Sequence, residues 1–400
     1  MNKSIADSID QIKQYVCVQV PFYRNMISEN AKSSSHNFDE FPIIDKYIVA
    51  QQPDSFISDE VNKEQLIEEY TSGSSGKPMK FYKTKGEMMH LESLLYRRRR
   101  KIVPSIGRFT MIKFYAELEA EDGKHSQKIL VRNNALYLSM LYLDDNSFSE
   151  YYDAIVKYAS QGWIVGAPSV IYRFAQYLNK SEKNTSMIRY IELTGEMVFD
   201  FQKNEIRKAF TCPLRNHYGS REFWEIAFEC EYGHLHILDE HVFVEVIDGE
   251  FVVSTLDQRT MPMIRYRTGD RGTLEHSNCP CGCEADIIVT SGGRTSDLIY
   301  TSSGRIISSI VLYMAILDLN EKYEDIISQF QFVQNSYTSF DAELVLTRDI
   351  DTEKIRIRLS ELLQQTIDNK LTLNISFKCS IDNDDKSRKY KYFISKLNDK

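Results

Sequence analysis

Apolar side chains recur at helical spacing near the start of the chain, where Ile5, Ile9, Ile12 and Val16 fall on one face. The N-terminal third as a whole reads as helices, with a polar, irregular stretch at residues 33–37. Two further amphipathic helices are predicted over residues 151–158 and 170–178. Between them, Gly162-Trp163-Ile164-Val165-Gly166 reads as a short buried strand. From His241 the period changes to two: Val242, Val244 and Val246 alternate, Asp248-Gly249 makes a hairpin turn, and Phe251-Val252-Val253 returns. Residues 342–347 predict another strand, and Ile355, Leu359, Leu362 and Leu363 share a helical face behind a cap at Asp351 or Thr352. Leu371, Leu373, Ile375 and Phe377 then alternate as a second strand. The C-terminal hundred residues thus predict a small α+β unit of their own, joined near residues 294–299, and the chain as a whole is α/β.

Four hundred residues are too many for one simple core and suggest two or three packed units. A hydrophobic content of 42% with 26% charged residues fits an ordinary globular protein. The formal net charge of -8 speaks against a general nucleic-acid binder, which needs a basic surface. The run Arg97-Arg98-Arg99-Arg100-Lys101 is the local exception. Following Leu91, Leu94 and Leu95, it reads as the end of a helix, where cations suit the macrodipole. The first residues are polar and no apolar core follows, so no signal peptide is expected. No stretch reaches the roughly eighteen apolar residues of a membrane helix, so no membrane partner is expected either. Seven unevenly spaced cysteines do not look like a secreted disulfide framework, which makes a reducing cytoplasm the expected location.

Local chemistry concentrates in a few segments. Ser72, Gly73, Ser74, Ser75 and Gly76 combine glycines with hydroxyls, so backbone N–H groups and Oγ donors can surround an anion. Lys77 adds a positive charge and Pro78 keeps the loop from becoming a helix. The spacing is not that of the common NTPase loop, and Pro78 stands where that loop has its magnesium-binding hydroxyl. A second cluster, Cys279-Pro280-Cys281-Gly282-Cys283, sets thiols in a turn suited to Zn²⁺, with Cys230 and His234 or His236 upstream to complete a tetrahedron.

Tyr70-Thr71-Ser72-Gly73-Ser74-Ser75-Gly76-Lys77-Pro78 resembles the ATP phosphate-binding signature of the adenylate-forming superfamily, which includes acyl-CoA synthetases, nonribosomal-peptide adenylation domains and beetle luciferases. Further segments resemble that superfamily's motifs in the order it requires: Thr194-Gly195-Glu196, Tyr218-Gly219-Ser220-Arg221-Glu222, Arg265-Tyr266-Arg267-Thr268-Gly269-Asp270 and Gly293-Arg294-Thr295-Ser296-Asp297. Gly166-Ala167-Pro168-Ser169, Val20-Pro21-Phe22-Tyr23 and Phe330-Gln331-Phe332-Val333-Gln334 look like the phenylacetate–CoA ligase family and its capsular-polysaccharide-biosynthesis branch.

The resemblance implies an adenylate-forming fold. Residues 1–293 would be the N-terminal ATP- and acid-binding domain, with a zinc-knuckle-like insertion near 230–283, residues 294–298 the hinge and 299–400 a mobile lid. It implies that a carboxylate attacks the α-phosphorus of ATP, and that the acyl group then passes to coenzyme A, or else to a carrier-protein thiol or an amine. A non-catalytic nucleotide-binding relative is the other reading, suggested by Arg388 and Ser296.

By the match, Thr71, Ser72, Gly73, Ser74, Ser75, Gly76 and Lys77 would hold phosphates. Gly195, Glu196, Tyr218, Gly219 and Ser220 would flank adenine, Glu222 would place Mg²⁺, and Asp270 and Arg294 would bind ribose or phosphate. Lys389 would be the lysine that reaches the adenylation site, although Arg388 replaces the usual glycine before it. The phenylacetate–CoA ligase resemblance points to Cys230, His236, Cys279 and Cys281 as structural Zn²⁺ ligands, with Cys283 either spare or an alternative ligand. Trp163, Tyr172, Phe223 and Trp224 near the acid pocket suggest an aryl or other compact acid, an amino acid included, and a homodimer is compatible with the resemblance.

Overall fold

The computed structural model describes residues 3–29, 38–70, 79–115, 118, 127–140, 142–198, 200–294, 298–304, 306–324, 326–379, 381 and 392–398. Helix α1 (Lys3–Gln19) buries Ile9, Ile12 and Val16 as the spacing predicts. It leads to α2 (Pro21–Glu29), which opens on a proline whose missing N–H costs nothing in a first turn. Helix α3 (Lys46–Gln51) starts at Asp45, whose carboxylate accepts from the N–H groups of Tyr47 and Ile48. Strands β1 (Leu66–Tyr70) and β2 (Lys80–Thr84) form an antiparallel hairpin, closed at its tip by the pair Tyr70 and Lys80. Thr84 then caps α4 (Lys85–Ile102) through the Glu87 N–H.

The N-terminal third is therefore not all helical, since β1 and β2 are followed by β3 (Thr110–Tyr115), β4 (Ile129–Arg132) and β5 (Ala135–Ser139). In β2 the buried run includes Lys83, and a charge among inward positions hides the strand period.

Helix α5 (Asp145–Tyr158), β6 (Gly162–Gly166), α6 (Pro168–Lys180), β7 (Ile188–Thr194), α7 (Asp200–Ala209) and β8 (Leu214–Tyr218) continue as successive strand–helix units. Strands β5, β3, β6, β7 and β8 run parallel, with β4 antiparallel on the edge. Short β9 (Ala227–Glu229) and β10 (Leu235–Ile237), then β11 (Val242–Ile247), β12 (Glu250–Thr255), β13 (Tyr266–Glu275) and β14 (Ile287–Arg294), extend the same sheet antiparallel. Its order is β11-β12-β13-β14-β10-β9-β8-β7-β6-β3-β5-β4.

Three cores hold this unit. One face of the parallel strands packs on α5, α6 and α7 through Phe148, Ile155, Phe174 and Ile206. The other face packs Trp163, Val165 and Tyr190 against Leu95 of α4. The antiparallel half packs on α1, α2 and α3. From β3 the chain moves on to β5 on one side, and from the adjacent β6 to β7 on the other. Such a reversal is a topological switch point, and open α/β sheets bind ligands at the carboxyl ends of the strands there.

The rest of the chain comprises β15 (Leu298–Tyr300), β16 (Ile306–Ser308), α8 (Ile310–Lys322), β17 (Ile327–Gln334), β18 (Ser339–Leu346), α9 (Thr352–Thr366), β19 (Thr372–Lys378) and β20 (Phe393–Ser395). Asp351 caps α9 through the Glu353 N–H. The sheet order is β19-β18-β17-β20, and its core of Leu312, Phe332, Leu359 and Ile375 is its own. Among the described residues no helix is long and apolar enough to cross a membrane.

Candidate active site

Several expected nucleotide residues meet at the strand ends. Tyr218, the last residue of β8, donates its hydroxyl to Asp270 Oδ2 on β13 at 2.8 Å, although 52 positions separate them. Gly219 follows, where an added Cβ would lie 1.8 Å from the Trp224 carbonyl oxygen, so only glycine fits. Past β7, Gly195 takes φ +85 and turns the chain so that Glu196 Oε2 accepts from the Ser169 N–H at 3.1 Å. Helix α6 has no side-chain cap of its own, so Glu196 supplies acceptor and negative charge to its N-terminus. The turns at residues 166–169 and 194–196 are thereby joined.

The loop carrying Glu222 is clamped carbonyl by carbonyl. Lys83 Nζ donates to the Arg221 carbonyl at 2.7 Å, Gln258 Nε2 to that of Glu222 at 3.1 Å, and His241 Nε2 to that of Phe223 at 2.8 Å. These three side chains belong to residues 1%, 3% and 0% exposed, so water does not compete for the bonds. Lys83 also pairs with Glu69 at 3.3 Å, tying the β1–β2 hairpin to the Glu222 loop. Burial lowers the Lys83 pKa, against the pull of Glu69, Glu87 and Glu222.

A carbonyl can only accept, so His241 carries hydrogen on Nε2, and its Nδ1 lies 2.5 Å from Asp257 Oδ1. His90 Nε2 lies 2.8 Å from the other Asp257 oxygen. Burial alone would raise Asp257, but its bonds to His241 and His90 outweigh that and hold it below the usual carboxylate value. Glu222 Oε1 itself accepts from the Tyr266 hydroxyl at 2.9 Å. Within the motif quoted earlier, Arg265 is structural: at φ 53 it forks onto Glu245 and donates to the carbonyls of Asp39 and Phe41.

On the α4 side the strand ends carry buried charge. Arg99 binds Glu192 with both ends of its fork, at 2.6 and 2.8 Å, and Tyr190 adds a hydroxyl at 3.1 Å. Burial disfavours both ions, but their contact prevails, holding Arg99 above and Glu192 below their ordinary values. Burial lowers the His217 pKa, and its ring approaches the Trp224 carbonyl, while its Nε2 has no hydrogen-bond partner among the described residues. Both Glu225 oxygens are buried without a partner among the described residues, and burial pushes this carboxyl up to about 9. Trp163 and Phe223, expected near an acid pocket, are fully packed in cores.

Apart from these groups, Cys230, His236, Cys279 and Cys281 place one ligand atom each within 4.8 Å of one another. His236 donates from Nδ1 to the Ala285 carbonyl at 3.0 Å, which leaves Nε2, 3.3 Å from Cys281 Sγ, to face a metal. Cys230 and Cys279 sulfurs are 3.6 Å apart, and all seven cysteines are free thiols. Three sulfurs and one imidazole nitrogen at this separation fit tetrahedral Zn²⁺. His234 Nδ1 lies 3.2 Å from Cys279 Sγ, and the Cys283 N–H is directed at Cys281 Sγ, so both support the cluster from outside the set of four.

No family model matches the chain. It is 27% identical over 364 residues to Protein CapK from Staphylococcus aureus, covering 86% of this chain and 78% of that one. Among solved structures, 2-hydroxyisobutyryl-CoA ligase in the postadenylation state superposes with a TM-score of 0.71 at 14% identity, over 99% of this chain and 90% of that one. The chain has the adenylate-forming ligase fold. An amide bond synthetase from Marinactinospora thermotolerans shares it less closely, with a TM-score of 0.51 at 15% identity over 84% and 68% of the two chains.

Within that fold, Thr71, Ser72, Gly73, Ser74, Ser75, Gly76, Lys77, the segment 295–297 and Lys389 lie outside the described residues. Arg294 ends β14 opposite Asp270, and its side chain also lies outside them. Sequence reasoning missed Lys83, Gln258 and His241. A lysine or histidine at a buried position carries no local signal, because its partners are carbonyls more than fifteen residues away in sequence.

Proposed function

We propose that this protein activates a carboxylic acid with ATP. The observation that carries this reading is the meeting of Tyr218, Asp270 and the clamped Glu222 loop beside the hairpin that brackets residues 71–78. A carboxylate oxygen would attack the α-phosphorus, the bond to the bridging oxygen of the β-phosphate would break, and pyrophosphate would leave with the electron pair. Both reactants are anions, so positioning and charge neutralisation dominate the barrier. Tyr218 would lie along adenine and Asp270 would accept from ribose hydroxyls. Glu222, fixed by three carbonyl bonds and by Tyr266, would hold Mg²⁺, which neutralises phosphate charge when bound. Thr71 to Lys77 would surround the phosphates.

Residues 1–293 then form the acid- and nucleotide-binding domain, 294–298 the hinge and 299–400 the lid carrying Lys389. Coenzyme A is the acceptor in our reading, in keeping with the 2-hydroxyisobutyryl-CoA ligase likeness. The amide bond synthetase likeness favours an amine as the second reading. Zn²⁺ at Cys230, His236, Cys279 and Cys281 would be structural, since four protein ligands leave no open position.

Acid-dependent exchange of labelled pyrophosphate into ATP tests the first step, and trapping the adenylate with coenzyme A or with amines tests the second. Nucleotide binding with no exchange for any acid would mark a non-catalytic relative.

A further inference from the structure

Lys83 stands in β2 directly after Phe81 and Tyr82, and all three are buried. An ammonium withdrawn from water is costly unless its partners offset the loss. Lys83 has two polar partners, from different parts of the chain. One is Glu69 across the β1–β2 hairpin. Register sets Lys83 opposite Ile67 and Glu69 opposite Phe81, so the two charges are diagonal neighbours on one face, 3.3 Å apart. The other is the Arg221 carbonyl, 138 positions away in sequence, to which Nζ donates at 2.7 Å. The ammonium also lies 4.2 Å from the Phe81 ring centre. The Lys83 side chain is 2% exposed and that of Glu69 14%, so salt and water screen the pair little. Packing alone would be served as well by apolar side chains of similar volume. What the charged pair adds is a fixed spacing between two backbones, that of the hairpin and that of the loop leading into Glu222.

The bonds around this loop fall into two sets. The first holds Tyr218: its hydroxyl is on Asp270 at 2.8 Å, its carbonyl accepts from the Ile226 N–H at 2.9 Å, and the preceding His217 is paired with Thr194 of β7. Gly219 is packed under the Trp224 carbonyl. Lys83 takes part in none of these contacts. The second set holds Glu222. Gln258 binds its carbonyl, Tyr266 its carboxylate, and Lys83 the carbonyl of the residue before it. Gln258 and Tyr266 tie Glu222 to the antiparallel half of the sheet, and Lys83 ties it to the hairpin that brackets residues 71–78.

We propose that Lys83 is a positioning residue for adenylation, spacing the Glu222 carboxylate from the β1–β2 hairpin so that Mg²⁺ and the polyphosphate meet in register. The proposal rests on the adenylation reading and divides its nucleotide site in two. Lys83 serves ATP with its Mg²⁺, while the adenosine part rests on Tyr218 and Asp270 and is indifferent to it. Lys83 takes no part in bond making.

The test is equilibrium binding of AMP, and of ATP with Mg²⁺, to the full chain as wild type, Lys83→Met and Glu69→Gln. Lys83→Met should weaken ATP with Mg²⁺ about tenfold and AMP about twofold or less, as expected when a charged hydrogen bond is lost from one half of the site. Glu69→Gln leaves Lys83 on the Arg221 carbonyl and should show the same bias at smaller size. Adding Glu69→Gln to Lys83→Met should change little further, since the two act through one pair. Equal weakening of both nucleotides would mark a merely structural role and overturn the proposal, as would unchanged binding of ATP with Mg²⁺. Should Lys83→Met fail to fold, Glu69→Gln, at a carboxylate partly open to solvent, decides by the same comparison. Wild type that binds neither nucleotide would remove the adenylation reading and this one with it, and shows itself before any substitution is made.

Discussion

Glu225 follows the clamped loop on β9's side and has no partner for either carboxylate oxygen among the described residues. Its ordinary value is 4.5 and burial raises it to about 9, with Arg99 opposing and Glu192 reinforcing the shift. The folded state thus holds a proton that the unfolded state releases above 4.5. Stability from this group is full below that value and is lost as pH climbs toward 9, by up to ~1.4 kcal/mol per pH unit. Glu225→Gln cannot ionise. It should flatten the stability–pH profile and be more stable than wild type by about 1–3 kcal/mol at neutral pH. Urea midpoints from acid to mildly alkaline pH check this, and parallel profiles would refute it. Glu225 also shows what the sequence hides at this scale. Tyr218, Glu222 and Asp270 could be named because they sit in ordered motifs. Glu225, Lys83 and the Arg99–Glu192 pair could not, since a charged residue in a strand or helix reads as facing water until its tertiary partner is known.

Elements with long runs were readable: β6 spans Gly162–Gly166 as expected, and β11 with β12 forms the hairpin around Asp248-Gly249. Strands β9 and β10 have three residues each and exist because they pair with β8 and β14, which no local period announces. They hold the two inserts of this region to which we assign roles. One is the clamped loop from β8 to β9. His241→Leu removes the donor to Phe223 O and the contact with Asp257, while His241→Gln keeps an N–H donor. If the clamp serves Glu222, the Leu variant should need about tenfold more Mg²⁺ for half-maximal exchange, with acid KM little changed and the Gln variant partly recovered. Lower stability with an unchanged Mg²⁺ requirement would show a structural role alone. The other insert is the cysteine cluster that staples the β9–β10 turn to the β13–β14 connection. Purified protein should carry a single zinc ion per chain. Cys281→Ser should lose it and melt several degrees lower, while metal-free wild type of unchanged stability would remove the site.

At the scale of the whole molecule, the core-forming apolar side chains among the described residues divide cleanly. The cores of the large sheet draw on residues up to Ile288, and the C-terminal core draws only on residues from Ile299 to Phe393. The division was readable from the sequence because the C-terminal unit has its own strand–helix–strand pattern. How the large sheet joins parallel and antiparallel halves was not, since that depends on pairings between distant segments. Separate cores predict separate cooperative units. Leu359 is fully buried in α9 at the centre of the small core, so Leu359→Ala should cost about 2–5 kcal/mol. That loss should lower only one of two calorimetric transitions. In our reading nucleotide binding rests on Tyr218 and Asp270 in the large unit, so it should persist at temperatures between the two transitions. Exchange, which in our reading needs Lys389 from the small unit, should fail there. A single transition shifted as a whole would mean that the two cores unfold as one, and loss of nucleotide binding together with exchange would place part of the nucleotide site in the C-terminal unit.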